Sequence, residues 1–373
     1  MSMRHLSWTA LAAATVVLSA CGTSKPKPAE LGPNVALIAV GQAWSSNVGP
    51  VQFPLQVHVV GDQLWLASSA GDVVSLDGAS GRELGRVSLK AGLVAGVGSD
   101  GKRAAVVTEA AQLVVVEGGK EIWRRKLGAQ TYTAPLVAGG RVFVLGGDRS
   151  VRAYDGASGQ LLWDQESRQQ DPLVLRQSGL LMPVGNTLLV GQGGRMTAMD
   201  PGDGHLLWEA PVATPRGAND VEKLADLIAP VARDGTDLCV RAFQASVGCV
   251  DAATGQIGWT KSANGATGVA MDEDFVFGAE ADGVVQAWSR KGGENRWSSS
   301  RLRYRQLSAP LVLGRSVVFG DNTGLVHMLS RADGSPLNRL STDGSPIVAA
   351  PVRVAGRLVV VTQKGGVFAF QPQ

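Results

Sequence analysis

Histidine and cysteine are the side chains through which covalent and metal chemistry is most often done, and here they are sparse: four His and three Cys in 373 residues. His5 lies in an apolar N-terminal segment, while His58, His205 and His327 stand far apart in the chain. None has the short ligand spacing with which zinc is held, and no G-x-S-x-G nucleophile elbow occurs. One stretch does match a phosphate-binding pattern: Gly96-Val97-Gly98-Ser99-Asp100-Gly101-Lys102-Arg103 satisfies G-x-G-x-x-G and comes close to a Walker A sequence. Both patterns need a helix to begin there, so that its amides can hold phosphate. The run Ala104-Ala105-Val106-Val107 instead predicts a strand, and Arg103 stands where Ser or Thr would bind Mg²⁺; the stretch is read as a turn. Cys239 and Cys249 flank a turn around Gln244 and Ala245, in what should be adjacent strands. In an oxidising compartment they bridge if their Cα atoms come within about 7 Å; if the pairing is off by one, they are two small buried residues.

The elements that must carry these residues are organised by a repeated ending. Tyr154-Asp155-Gly156-Ala157-Ser158-Gly159-Gln160-Leu161-Leu162-Trp163 recurs as Asp77 to Gly81, as Asp200 to Gly204 with Trp208, and as Asp251 to Gly255 with Trp259. It predicts a strand, a tight turn in which Asp bonds its own backbone and Gly takes a positive φ, and a second strand anchored by a buried Trp. These aspartates are therefore turn residues before they are candidate acids. Trp44, Gly85, Trp123, Trp163, Trp208, Trp259, Trp297 and Asn338 mark the same position at spacings of 38 to 51 residues. Each unit begins on an Ala-Pro strand, as at Ala134-Pro135, Ala229-Pro230, Ala309-Pro310 and Ala350-Pro351. Period-two runs such as Arg141-Val142-Phe143-Val144-Leu145 follow, and no stretch predicts a helix. The fold class is all-β: an eight-bladed β-propeller of four-stranded antiparallel blades. Trp44 has no strands of its own before it, so its strand should complete the last blade and close the ring by pairing the N- and C-terminal strands. Gly is 48 of the 373 residues, well above the usual share of about 7%, as several turns per blade require.

The first twenty residues differ from the rest: Arg4 and His5, an apolar run from Leu6 to Ala20, then Cys21. That run is too short to span a bilayer comfortably and has the order of a secretory signal. Leu18-Ser19-Ala20-Cys21 resembles the bacterial lipobox, which implies cleavage before Cys21 and a lipid on it. Gly22 rather than Asp follows, which in lipoproteins implies sorting to the outer membrane. The expected organisation is a signal peptide over 1–20, a lipidated flexible tether over 21–36 and the propeller over 37–373. Acyl chains, at about 0.8 kcal/mol per buried CH₂, hold such a protein at a membrane without a transmembrane helix. The formal charge of +3 is scattered, and nothing favours nucleic acid as a partner.

Two places break the repeat. The spacing from Trp208 to Trp259 is the longest, its excess lying in residues 215–226, and the spacing before it contains the apolar Leu173-Val174-Leu175 beside Arg176. Insertions in repeat proteins emerge on one face, often the binding face. Leu173 and Leu175, at alternate positions, can present one apolar anchor, with Arg176 at its margin for a charge-assisted hydrogen bond.

The Trp repeat resembles the quinoprotein-type propellers, whose enzymes bind pyrroloquinoline quinone with adjacent cysteines, a metal and a catalytic Asp. This chain has no adjacent cysteines, so that resemblance implies a fold and no cofactor. With the lipobox, the tether and the eight marks, the whole chain resembles the lipoprotein family that serves the machinery inserting β-barrel proteins into the outer membrane. Leu173-Val174-Leu175-Arg176 is similar to that family's L-x-L-R element, and Glu222 to Asp226 falls in its acidic loop. The resemblance implies a non-enzymatic scaffold on the periplasmic face. Leu173, Leu175, Arg176 and Asp226 would then touch the POTRA domains of the barrel-forming subunit, other assembly lipoproteins would be reached indirectly, and unfolded outer-membrane clients would be received. Where the family often has a second Asp, this chain has Ile228. The rival expectation is a periplasmic quinone-dependent dehydrogenase, or a degenerate relative of one.

Overall fold

The middle strands of each unit are apolar at consecutive positions, as in Val142-Phe143-Val144-Leu145, all buried. Such strands must be covered on both faces. A ring of blades provides this, because each sheet is sandwiched between its neighbours. The computed structural model, which describes residues 26–166, 175–214 and 224–373, shows eight four-stranded antiparallel sheets. Blades 1 to 7 follow chain order over residues 58–88, 93–126, 136–165, 181–211, 227–262, 270–299 and 311–341. Blade 8 combines Val352–Val354, Arg357–Val361 and Gly366–Pro372 with the N-terminal strand Val40–Asn47. Val40 pairs with Pro372 and Asn47 with Gly366, so the two chain ends close the ring as expected.

Alternation of strand direction gives the ring two unlike rims. The hairpins between a blade's first and second strands, and the Asp-Gly turns between its third and fourth, lie on one rim, here the turn rim. Hairpins between second and third strands, together with every blade-to-blade connection, lie on the other, the linker rim. First strands and the Ala-Pro pairs before them line a central opening of about 670 Å³.

The repeated ending stitches one blade to the next. In blade 3, Asp155 Oδ1 accepts hydrogen bonds from the amides of Ala157 and Ser158 and from Ser158 Oγ, and Gly159 takes φ +68°. A Cβ on Gly159 would lie 2.6 Å from the Trp123 ring of blade 2, so the glycine lets that ring lie flat on the turn. Trp123 Nε1 then donates to Gly156 O at 3.0 Å. Trp44, Trp163, Trp259 and Trp297 donate in the same way to Gly78, Pro201, Arg290 and Arg331, and the Trp208 ring lies against Gly255. Two seams lack the stitch. Gly85 faces blade 2, whose turn is reduced to Gly118-Gly119 between Gln112–Glu117 and Lys120–Lys126. Asn338 faces blade 8, whose outer strand Val40–Asn47 is not joined by a turn to its neighbour Gly366–Pro372.

Part of the span expected as a tether has partners on the ring. Cys21 and the signal lie outside the described residues, but residues 29–38 are bound to the ring. Ala29 N donates to Arg303 O and Leu37 N to Leu337 O, while Arg305, Arg339 and Arg315 donate to the carbonyls of Ala29, Gly32 and Leu37. Leu31 and Ile38 pack at the edges of neighbouring cores. The segment's shortage of large apolar residues points to mobility, but backbone hydrogen bonds to arginines do not depend on apolar content.

Candidate functional site

Most of the residues with chemical potential are used in building the ring. Gly96 to Arg103 runs from the strand Leu93–Ser99 through a turn into Arg103–Thr108. Asp100 Oδ1 accepts the amides of Lys102 and Arg103, so no helix begins there to hold a phosphate. Hydrogen bonds from Ser80, Ser158 and Thr254 hold the carboxyls of Asp77, Asp155 and Asp251 below the usual range, which suits turn residues that stay ionised. Asp200, Asp203 and His205 gather on one exposed turn, where Asp203 accepts from both the amide and Nδ1 of His205. His327 is buried and bonded to Asp321 through Nε2 at 2.9 Å. Cys239 and Cys249 stand directly opposite one another in their hairpin and are joined as a disulfide, Cα–Cα 4.0 Å.

The central opening is where the dehydrogenase reading can be tested. Pyrroloquinoline quinone carries three carboxylates and is bound with a metal, so its site needs several cations and at least one acid. Among the described residues lining the opening, Arg233 is the one formally charged side chain; the rest are Gly, Ala, Pro, Leu, Ile, Val, Met and neutral polar groups, with His58 at the wall. Burial pushes the His58 imidazole below its ordinary value, which further reduces positive charge there. The lining does not fit the quinone.

The two breaks in the repeat meet on the linker rim. The connection from blade 3 to blade 4 returns through Leu175, Arg176 and Gln177, and the connection from blade 4 to blade 5 through Ala225, Asp226 and Leu227. Leu180 N donates to Leu227 O and Ala229 N to Ser178 O, which locks the two connections together. Gly179 N also reaches Thr133 Oγ1 at 2.9 Å, tying them to the preceding connection. Leu173 lies outside the described residues. Leu175 is half-buried and lines a narrow cleft with Tyr132, Leu145, Arg149 and Asp226. Arg176 is exposed, its guanidinium 5.2 Å from the centroid of the Tyr132 ring. That geometry holds a long side chain in place by cation–π attraction worth about 0.5–1 kcal/mol at an exposed site.

Asp226 has a partner that the sequence does not disclose. Arg149 Nη2 donates to Asp226 Oδ1 at 3.0 Å, with the two side chains 10% and 19% exposed. Arg149 follows the Gly146-Gly147-Asp148 turn of blade 3 at φ +62°, and Gln192 holds its carbonyl. Asp226 O in turn accepts Phe243 N of blade 5. The acid thus spans blades 3 to 5, and its pairing with Arg149 fixes the inserted loop's root. Ile228, at the place of the family's second acid, is 1% exposed and bridges to Gly179; it packs beneath the patch. The patch offers an apolar half-buried residue, a positioned cation and an ion pair at its floor. Those are the parts of a docking surface, and no nucleophile or proton-transfer pair stands among them.

Residues 69–299 match the family described as outer membrane protein assembly factor BamB. The outer membrane protein assembly factor BamB of Burkholderia pseudomallei is 34% identical over 99% of this chain and 99% of its own. The crystal structure of BamB from Moraxella catarrhalis superposes with TM-score 0.81 at 24% identity, covering 89% of this chain and 99% of that one. Quinohemoprotein alcohol dehydrogenase from Comamonas testosteroni shares the fold at TM-score 0.69 and 15% identity, covering 91% of this chain and 78% of its own.

Proposed function

This chain belongs to the family of outer membrane protein assembly factor BamB, and on that premise we propose that it is a non-enzymatic scaffold in the assembly of outer-membrane proteins. A lipid on Cys21 holds it at the periplasmic face of the outer membrane. The linker-rim patch of Leu175, Arg176 and Asp226, together with Leu173 two positions earlier in the sequence, docks onto the POTRA domains of the barrel-forming subunit. The observation that carries this reading is the junction of the two inserted connections: they are hydrogen-bonded to each other, they bring an exposed, ring-held Arg176 beside Leu175, and Arg149 braces them through Asp226. Preorganised side chains of this kind lose little freedom on binding. Organising POTRA domains, the scaffold raises the efficiency of insertion, and unfolded clients are received alongside.

The test is co-purification from solubilised envelopes. A Leu175→Ala, Arg176→Ala double variant, and the same with Leu173→Ala, should fold with an unchanged melting temperature and lose the barrel subunit. Retention of the barrel subunit at native yield would refute the patch. The rival dehydrogenase reading predicts a quinone absorbance on mixing with pyrroloquinoline quinone and Ca²⁺, which the lining of the opening argues against.

A further inference from the structure

Five seams are held by a Trp Nε1 that donates to the carbonyl of the second residue in the next blade's turn. At the seam from blade 7 to blade 8 no such turn exists, and Asn338 replaces the Trp. Asn338 Nδ2 nevertheless donates to a carbonyl in the corresponding place, that of Ile38, at 2.8 Å. Ile38 lies just ahead of the strand Val40–Asn47, where the turn would lead into a fourth strand. Asn34 Nδ2 completes the clasp by donating to Asn338 Oδ1 at 2.9 Å and Arg339 O at 3.0 Å. The chain's own N-terminal segment therefore supplies the missing turn.

From Ile38 the segment runs back along blade 7's outer strand, Pro336–Ser341, towards the linker rim. Leu37 N bonds Leu337 O, Gly32 O accepts from Arg339, and Ala29 arrives beside the connection between blades 6 and 7. There Arg305 donates to Ala29 O through Nε at 3.2 Å and Nη2 at 2.6 Å. Arg305 is itself held by buried Asp321, 3.1 Å from Nη1. The strap is thus fixed at both ends: at the turn rim by Asn338 and at the linker rim by Arg305.

We propose that this strap sets which rim faces the bilayer. The inference rests on lipidation at Cys21. With the strap in place, about eight residues separate the lipid from Ala29, a reach of about 28 Å when fully extended. The tether starts at the linker rim, the rim that carries the docking patch. The turn rim lies farther off by the height of the ring, about 20 Å for six-residue strands. Released as far as Val40, the tether would be about 19 residues long, could extend to about 65 Å, and would leave from the turn rim instead. The strap therefore presents the membrane and the docking partner to the same side of the propeller.

The experiment uses the full-length lipoprotein in phosphatidylethanolamine–phosphatidylglycerol vesicles with a headgroup-labelled acceptor lipid in the outer leaflet. A donor dye is placed by Arg301→Cys on the linker rim or by Ala332→Cys on the turn rim of blade 7, both exposed. Energy transfer from position 301 should exceed that from 332 at least twofold. A strap loosened by Asn34→Ala with Arg305→Ala, or by the milder Asn34→Ala alone, should reduce that ratio. Equal or reversed transfer on vesicle-bound protein would overturn the orientation while leaving the anchor intact. Absence of vesicle binding, with a mass lacking the acyl chains, would overturn the anchoring on which it rests. Neither result depends on the docking partner, so docking stands or falls separately by co-purification.

Discussion

Replacing Asp321 by Asn tests whether the network behind the strap is a stabilising one. Asp321 is fully buried and accepts from Arg305 Nη1 at 3.1 Å, His327 Nε2 at 2.9 Å, and the amides of Thr323 and Leu325 at 2.8 and 3.0 Å. Burial by itself would raise its pKa. The hydrogen bond from His327, that from the Leu325 amide, the positive charge of His327 and the Thr323 hydroxyl outweigh burial and bring the carboxyl from 3.8 down to about 2. A carboxyl so displaced contributes about 2.5 kcal/mol of folding stability where it is ionised in both states. The amide side chain of the variant would keep the shape and an acceptor oxygen for the turn but carry no charge, much as the protonated acid does. The Asp321→Asn variant should therefore unfold about 2.5 kcal/mol more easily at pH 5, read as a lower urea midpoint at unchanged slope. The sign of the pH dependence follows from the depressed pKa: the contribution is complete above the unfolded value and is lost as pH falls through the folded one. The gap between native protein and variant should accordingly narrow from about pH 4 downwards and close near pH 2. The turn aspartates titrate alike in both proteins and cancel from the comparison. A gap below about 1 kcal/mol at pH 5, or one that does not narrow between pH 5 and pH 3, would refute the reasoning.

Other consequences are more local. Gly159→Ala should cost about 2 kcal/mol or more in chemical denaturation, because its Cβ would meet the Trp123 ring at 2.6 Å. Gly139→Ala, also at positive φ but with nothing within 4 Å of its Cβ, should cost only about 1 kcal/mol. Cys239→Ser with Cys249→Ser removes a short-loop disulfide and should lower stability by about 3 kcal/mol, with native protein in reductant falling to the same denaturant midpoint. Arg149→Ala and Asp226→Ala should each weaken recovery of the barrel subunit, and the double variant should lose less than the sum of the two, because they share one ion pair. Tyr132→Phe should leave recovery intact and Tyr132→Ala should reduce it about two- to fivefold, the value of one exposed cation–π contact.

The propeller is legible because one turn chemistry is copied along the chain. Asp, Ser or Thr and Gly at fixed offsets specify the bend, and Trp after it specifies what the bend is for. Long-range pairing leaves no such mark. Arg149 and Asp226 lie 77 positions apart, and no local pattern distinguishes an arginine that follows a Gly-rich turn from any other arginine. Asn338 can be read as a missing Trp, but its substitute partner comes from the opposite end of the chain. The N-terminal strap reads as a mobile tether because composition reports apolar burial and is silent on carbonyls captured by Arg305, Arg315 and Arg339. The disulfide is open in the sequence for a related reason: whether Cys239 meets Cys249 depends on a strand register that one residue's slip would reverse.

The division of labour between the rims explains why the docking patch lies where it does. Every Trp stitch fastens an outer strand to a turn on one rim, so the ring's integrity depends on the length and chemistry of those turns. The blade-to-blade connections on the other rim take no part in any stitch. Their lengths can grow without parting a seam, and the two longest spacings, ending at Trp208 and Trp259, both grow there. Extra residues on that rim need only local bracing to become a fixed surface, which the bonds of Leu180 to Leu227 and Arg149 to Asp226 provide. The strap follows the same logic from the other side: it fills a turn where the ring requires one, then leaves towards the rim where additions cost the ring nothing.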